Sequence, residues 1–378
     1  MSNYIYCLNT PKELSLAMFL YKTSPVPLKI VMTNFSAADK YNWPKSKAME
    51  PWFSNEDIAT IKEKTSKDII VCSTEKHLNE LWKDSDVCMS RGREFVVLKS
   101  PAKKNVALSL DRCYFGRLLD VIPHYGDRLK ILLFSPIWLD EKECGDYEIN
   151  PKQKNLINKY RNAFIFADVL GYNYEILKGK SKDEWKKELG LPLDRKIATL
   201  SFRMSADCSV HNGSADFMAA VKKSLKKFRD DGYFIVCRRR MSQRDAQYYR
   251  QCRTPEISGF EEIRDLIDVS IDGFGGFPET VWRLLYSSDV LILADISGIA
   301  RIEALFCRCP VYMPFEKNET TLKRLGTFPI IKDMVKNDLI FNEYGNESIE
   351  KYHANVENFI KKWHNDYSAE KFWDVVLK

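Results

Sequence analysis

Short apolar runs recur along the chain, separated by stretches whose apolar positions fall at helical spacing. NYIYCL, from Asn3 to Leu8, reads as a strand, PKELSLAMFLYKT as a helix and LKIVMTNF as a second strand, a βαβ opening. DIIVCS and EFVVLK follow as short buried strands. YFGRLLDVI reads as a helix and LKILLFSPI as a strand, and AFIFADVLGY closes this half. Apolar strands alternating with amphipathic helices predict a parallel sheet covered on both faces. The polar and aromatic segment Ser36–Asp57 lacks a period and is expected to be a long loop with short helices.

The second half repeats the unit. Ser181 is a plausible N-cap, with Glu184 at the capping-box spacing, so KDEWKKELG reads as a short helix stopped by Gly190. KIATLSFR starts a fresh strand. The helix SADFMAAVKKSLKKFRDDG, the strand YFIVCRRR, the strand DLIDVSID, the helix TVWRLLYSS and the strand DVLILAD follow in turn. The expected architecture is α/β, two Rossmann-like doubly wound domains facing a central cleft, hinged near residues 175–190. Residues 1–175 form the first domain, 176–345 the second, and 346–378 are C-terminal helices expected to cross back to the first. Such sheets bind ligands at the carboxyl ends of their strands.

Composition supports this and narrows the partners. A chain of 378 residues suits two cores, and 45% hydrophobic with 29% charged residues is ordinary for globular proteins. The net charge of +6 is mild and scattered, which argues against nucleic acid as a partner and suits an anionic ligand or an acidic membrane surface. The ten cysteines include no CxxC pair, which points to a reducing compartment. MSNYIYCLNT has no signal-peptide character, and KILLFSPIWL is too short to span a bilayer. A cytoplasmic protein is expected, with YNWPKSKAMEPWF (Tyr41–Phe53) as a surface for peripheral membrane contact.

The densest chemical signal is SDVLILADISGIARIEALF, from Ser288 to Phe306. A strand turns through Asp295-Ile296-Ser297-Gly298 into a helix, whose first N–H groups lack intrahelical partners and carry the positive end of the dipole. Gly298 admits a ligand close to the backbone and the Ser297 hydroxyl can donate, so the turn is suited to phosphate. Glu303, read as a turn and a half into that helix, is placed to accept the hydroxyls of a ribose. The alternative is an N-capped helix with a solvated glutamate. If Glu303 holds a ribose, Glu303→Ala is expected to weaken binding while leaving the fold intact. In Arg238-Arg239-Arg240 side chains alternate along the strand, so Arg238 or Arg240, rather than Arg239, is expected to meet phosphate. Asp272 and Gly273 open a glycine-rich turn that suits close approach to a nucleobase, or a flexible connection.

Two stretches, KDEWKKELGLPLDRKIATLSFR and TVWRLLYSSDVLILADISGIARIEALFCRCPVYM, resemble the C-terminal half of GT-B-fold glycosyltransferases over about residues 180–315. The chain is also similar to the polyol-phosphate transferases of teichoic-acid synthesis and, more distantly, to nucleotide-sugar 2-epimerases. The resemblance implies a transferase that takes a sugar from a nucleotide-sugar donor to a glycan or lipid-linked acceptor. A CDP-linked polyol-phosphate transferase and a non-catalytic scaffold are the alternatives. It implies a donor-phosphate contact at Arg203, base recognition near Val269–Ile271, and no cofactor and no metal. Where many relatives carry a Lys-x-His-Pro or His-Pro-type motif, this chain reads Cys237-Arg238-Arg239-Arg240, without the histidine. An inverting reaction needs a base from the first half, and Asp111, His124 and Asp168 are the candidates.

Overall fold

The structure is a computed structural model. It describes residues 3–8, 14–33, 53, 55–65, 69–91, 100–108, 115–133, 150–166, 177, 179–202, 215–239, 262–272, 278–293, 300–314, 334–366 and 369–378. The chain divides into two compact units, Met1–Val169 with His364–Lys378, and Leu170–Trp363.

In chain order the first unit holds β1 (Tyr4–Leu8), α1 (Leu14–Thr23), β2 (Leu28–Thr33), α2 (Asn55–Thr65), β3 (Ile69–Cys72) and α3 (Glu75–Lys83). Then come β4 (Val87–Arg91), β5 (Lys104–Leu108), α4 (Phe115–Tyr125), β6 (Leu129–Leu133), α5 (Pro151–Lys159) and β7 (Phe164–Phe166). The sheet is parallel throughout, in the order β3-β2-β1-β4-β5-β6-β7. Every residue of β1 is buried, as a strand covered on both faces requires. Ile5, Cys7, Val31, Cys72, Leu78, Trp82 and Cys88 form one core cluster, in which the cysteines act as small hydrophobes. Burial, and then the neighbouring Cys7, push the Cys72 thiol up to about 12. Strand β4 is absent from the sequence reading, because VCMSR mixes Cys, Met, Ser and Arg. Its burial on both faces decides the matter against propensity. EFVVLK, expected as a strand, lies outside the described residues.

The second unit holds α6 (Lys182–Glu188), β8 (Ile197–Phe202), α7 (Ala215–Asp230), β9 (Phe234–Arg239), β10 (Val269–Asp272) and α8 (Pro278–Ser287). It continues with β11 (Val290–Leu293), α9 (Ala300–Phe306), β12 (Val311–Tyr312), β13 (Ile340–Phe341) and α10 (Asn346–Asp366). Its sheet, also parallel, runs β10-β9-β8-β11-β12-β13. The capping box at α6 forms as read from sequence. The Ser181 side chain accepts from Glu184 N, and Glu184 Oε2 accepts from Ser181 N at 2.7 Å. One sheet face packs Ala198, Leu200, Ile235 and Cys237 under α7 residues Val221, Leu225 and Phe228. The other packs Ile197 and Val236 against Leu284 of α8.

Both sheets hold their amino edges in the same way. An aspartate just ahead of one strand accepts the N–H at the start of its neighbour. Asp86 accepts from Asn3 at 2.9 Å, Asp268 from Ile235 at 2.7 Å and Asp289 from Ile197 at 2.8 Å. The final helix, α11 (Ala369–Leu377), belongs to the first unit, where it packs against β7. Trp373 Nε1 donates to Thr23 Oγ1 at 3.0 Å, and Lys104 Nζ donates to the Val376 carbonyl at 2.9 Å. Helix α10 stays with the second unit as far as Trp363.

Candidate functional site

In the second sheet, chain order runs outward from β8 to β9 to β10 and then returns to place β11 on the other side of β8. The switch point therefore lies between β8 and β11, and ligands of open α/β sheets bind beyond the carboxyl ends of strands at such a point. Two side chains singled out from the sequence meet here. Arg238 is the penultimate residue of β9, and Glu303 lies in the first turn of α9. Arg238 Nη1 stands 3.7 Å from Glu303 Oε2, with the two side chains only 4% and 10% exposed.

The period of two accounts for Arg238. Val236 and Arg238 share the face that carries α8, whereas Ile235 and Cys237 face α7. The ladder sets Arg238 across from Ser201 of β8 on one side and Ile271 of β10 on the other. In-register neighbours of a parallel sheet point to the same face, so Ser201 and Arg238 lie side by side. Ser201 is 1% exposed, and its hydroxyl makes no hydrogen bond among the described residues; neither does Glu303 Oε2. Thr199, one pleat earlier on the same face, is satisfied at 2.6 Å by the Ser288 hydroxyl. Sequence reasoning passed over Ser201, although a polar residue two places after Thr199 in the apolar run KIATLSFR was a visible signal.

The structure corrects the reading of Glu303 in two ways. The described helix begins at Ala300, so the glutamate sits in its first turn rather than a turn and a half in. It is also buried, so it is not a solvated residue on a capped helix. Burial and paired charge tie it to the protein, and truncating it removes a carboxylate that faces the buried Arg238. The Cys307 thiol, just past the end of α9, is pushed well above its usual range by burial and then by Cys309 and Glu303, so it is not a ready nucleophile.

The other expected residues are placed as follows. Asp272 ends β10 across from Arg239, and the position of its side chain is outside the described part. Arg203, Arg240, Gly273, Ser297, Gly298, Asp111 and Asp168 lie outside the described residues. So does the Tyr41–Phe53 segment, except for Phe53, which is buried. His124 is exposed in the last turn of α4, just before β6, and therefore lies at the amino-terminal edge of its sheet. Among the described residues no group of three or more His, Cys, Asp or Glu is arranged to hold a metal ion. No described helix is long and apolar enough to cross a membrane.

No family model matches the chain, and no curated protein matches it in sequence. Solved structures do match. The wall teichoic acid polymerase TagF aligns with a TM-score of 0.52 at 11% identity, over 99% of this chain and 88% of that one. The UDP-GlcNAc 2-epimerase from Methanocaldococcus jannaschii aligns at 0.49 and 12% identity, over 94% and 92% of the two chains. The E. coli ADP-heptose lps heptosyltransferase II aligns at 0.41 and 10% identity, over 95% and 100%.

Proposed function

We propose that this chain, which has the GT-B fold, is a nucleotide-sugar-dependent glycosyltransferase that binds its donor in the second unit and transfers the sugar to a glycan or lipid-linked acceptor. The observation that carries this reading is the buried Arg238–Glu303 pair at the carboxyl end of the second sheet. Opposite charges held out of water rarely stabilise a fold more than apolar residues of the same size. At a switch point, such a pair suits ligand recognition. Glu303 Oε2 accepts a ribose hydroxyl, a charge-assisted bond worth about 1.5–3 kcal/mol. Arg203, Arg240, Ser297 and Gly298 take the diphosphate in this reading, and Asp272 and Gly273 lie toward the base. Fixed guanidinium charge offsets the leaving diphosphate without a metal.

Glycosyl transfer develops oxocarbenium character, and an inverting reaction needs a base for the acceptor hydroxyl. Asp111 and Asp168, which lie outside the described residues, are the candidates for that base. His124 lies at the amino-terminal edge of its sheet and is left out of the proposal. A CDP-linked polyol-phosphate transferase is the second reading, because the TagF structures include one soaked with CDPG. A peripheral membrane contact fits a lipid-linked acceptor in either case.

Thermal-shift and calorimetric titration with UDP, GDP, ADP, CDP and dTDP, and with their sugar and polyol conjugates, tests the proposal. A ligand at 100 times its Kd stabilises the folded state by about 2.7 kcal/mol, and a nucleotide response with turnover of its sugar conjugate is the expected result. Turnover of a CDP-polyol alone selects the second reading. No response to any nucleotide overturns both.

A further inference from the structure

We infer that Arg238 is a positioning residue and Ser201 a second polar group of the same ligand subsite, together holding Glu303 ready for a ligand's vicinal hydroxyls; this rests on the reading above. Three buried polar side chains converge on one sheet face, with Ser201 1%, Arg238 3% and Glu303 8% exposed. A carboxylate this deeply buried needs a compensating charge, and a guanidinium supplies one at every working pH. The separation is the informative part. At 3.7 Å the pair is in Coulombic contact but beyond hydrogen-bond reach. A bidentate arginine fork would occupy both carboxylate oxygens. Here Arg238 neutralises Glu303 without engaging Oε2, which makes no hydrogen bond among the described residues.

The Ser201 hydroxyl is another buried oxygen without a hydrogen-bond partner among the described residues, and the ladder sets it beside Arg238. Most buried polar atoms of native proteins are satisfied, and these two oxygens lie together at the carboxyl end of the second sheet. A ligand bearing adjacent hydroxyls meets both, since one hydroxyl donates to Glu303 and the other exchanges a hydrogen bond with Ser201. The subsite should therefore distinguish a ribonucleotide from the same nucleotide lacking those hydroxyls. It depends on Arg238 even though Arg238 need not touch the ligand.

The test is calorimetric titration with the tightest-binding ribonucleoside diphosphate among UDP, GDP, ADP and CDP, and with its 2′,3′-dideoxy form. The proteins are wild type, Arg238→Met, Arg238→Lys, Ser201→Ala and the double variant Arg238→Met/Glu303→Gln. Wild type is expected to prefer the ribo form by about ten-fold or more, the size of one or two charge-assisted hydrogen bonds. Arg238→Met should bring that preference close to unity while binding the dideoxy form as wild type does. Arg238→Lys should restore part of it, and Ser201→Ala should reduce it by about two- to five-fold. Where Arg238→Met does not fold, the double variant, which removes both charges of the pair, carries the same expectation of a preference near unity. A wild-type preference in the arginine variants, or an equal loss for both nucleotide forms, overturns the inference. Wild type that binds nucleotides without preference overturns it alone, and wild type that binds none overturns it together with the proposed function.

Discussion

The two sheets are built alike at one edge and differently at the other. At the amino edge, Asp86 in the first unit and Asp268 and Asp289 in the second each accept an N–H at or beside the start of a neighbouring strand. At the carboxyl edge of the first sheet, one ladder row reads Ile70, Val31, Cys7, Ser90 and Ala107. The matching row of the second reads Ile271, Arg238, Ser201 and Leu293, with Glu303 against it. Winding a parallel sheet needs the amino-edge contacts in both units. Nothing in the winding asks for a buried arginine and glutamate, and it is on this difference that the proposed donor site in the second unit rests.

The largest expected effect comes from breaking that difference halfway. Glu303→Ala removes a carboxylate beside a buried guanidinium and should cost about 3–5 kcal/mol, read from the denaturant midpoint. Replacing both partners, as Arg238→Met/Glu303→Gln, should recover most of the loss. A double variant as unstable as the single one would make the pair part of the scaffold and erase the contrast. The sequence-based expectation that Glu303→Ala spares the fold is replaced by this one, because burial is a property of the packed structure that spacing alone does not reveal.

A smaller effect tests the shared edge. Asp268→Ala and Asp289→Ala each remove a carboxylate from a strand N–H and should cost about 1–3 kcal/mol, with nucleotide affinity unchanged. A loss of affinity in either would show that the amino edge is not purely structural. The smallest effect depends on pH. Hydrogen bonds from Lys103 and then from the Asn3 N–H hold the Asp86 carboxyl below the usual range. In the second unit, Glu184 is lowered by the Ser181 N–H and then by its hydroxyl. A lowered folded value means that the stabilisation is present above the unfolded carboxyl range, about pH 4, and fades as pH falls through the folded value. The stability difference between wild type and Asp86→Asn should therefore shrink under acid, and Glu184→Gln should behave likewise. A difference that grows on acidification would reverse the sign of the argument.

The alternation of apolar runs with amphipathic stretches made the class of fold legible, because parallel strands buried on both faces leave few polar interruptions to mislead. Ser181 and Glu184 identified their cap in advance, since a capping box is written within four consecutive residues. Strand β4 was missed because its residues are poor strand formers held by burial from both sides. The site was legible only by halves. Arg238 and Glu303 were each picked out, one by alternation along a strand and one by its place after a turn, but they are far apart in sequence and only the fold makes them a pair. Ser201 went unnoticed because a serine in a strand carries no signal until the register sets an arginine beside it.

The docking of α11 bears on how the protein is made. Phe372, Trp373 and Val376 are almost wholly buried, yet they lie near the far end of the chain from the sheet they cover. During synthesis the first unit's strands leave the ribosome long before this cover exists, while the second unit has nearly all its residues in hand by Trp363. The half that begins last can thus finish first, and β7 must wait beside a growing chain with its flank open. A fragment cut after Val169 inherits that open flank permanently, so a stable version of the first unit has to carry His364–Lys378 joined back on.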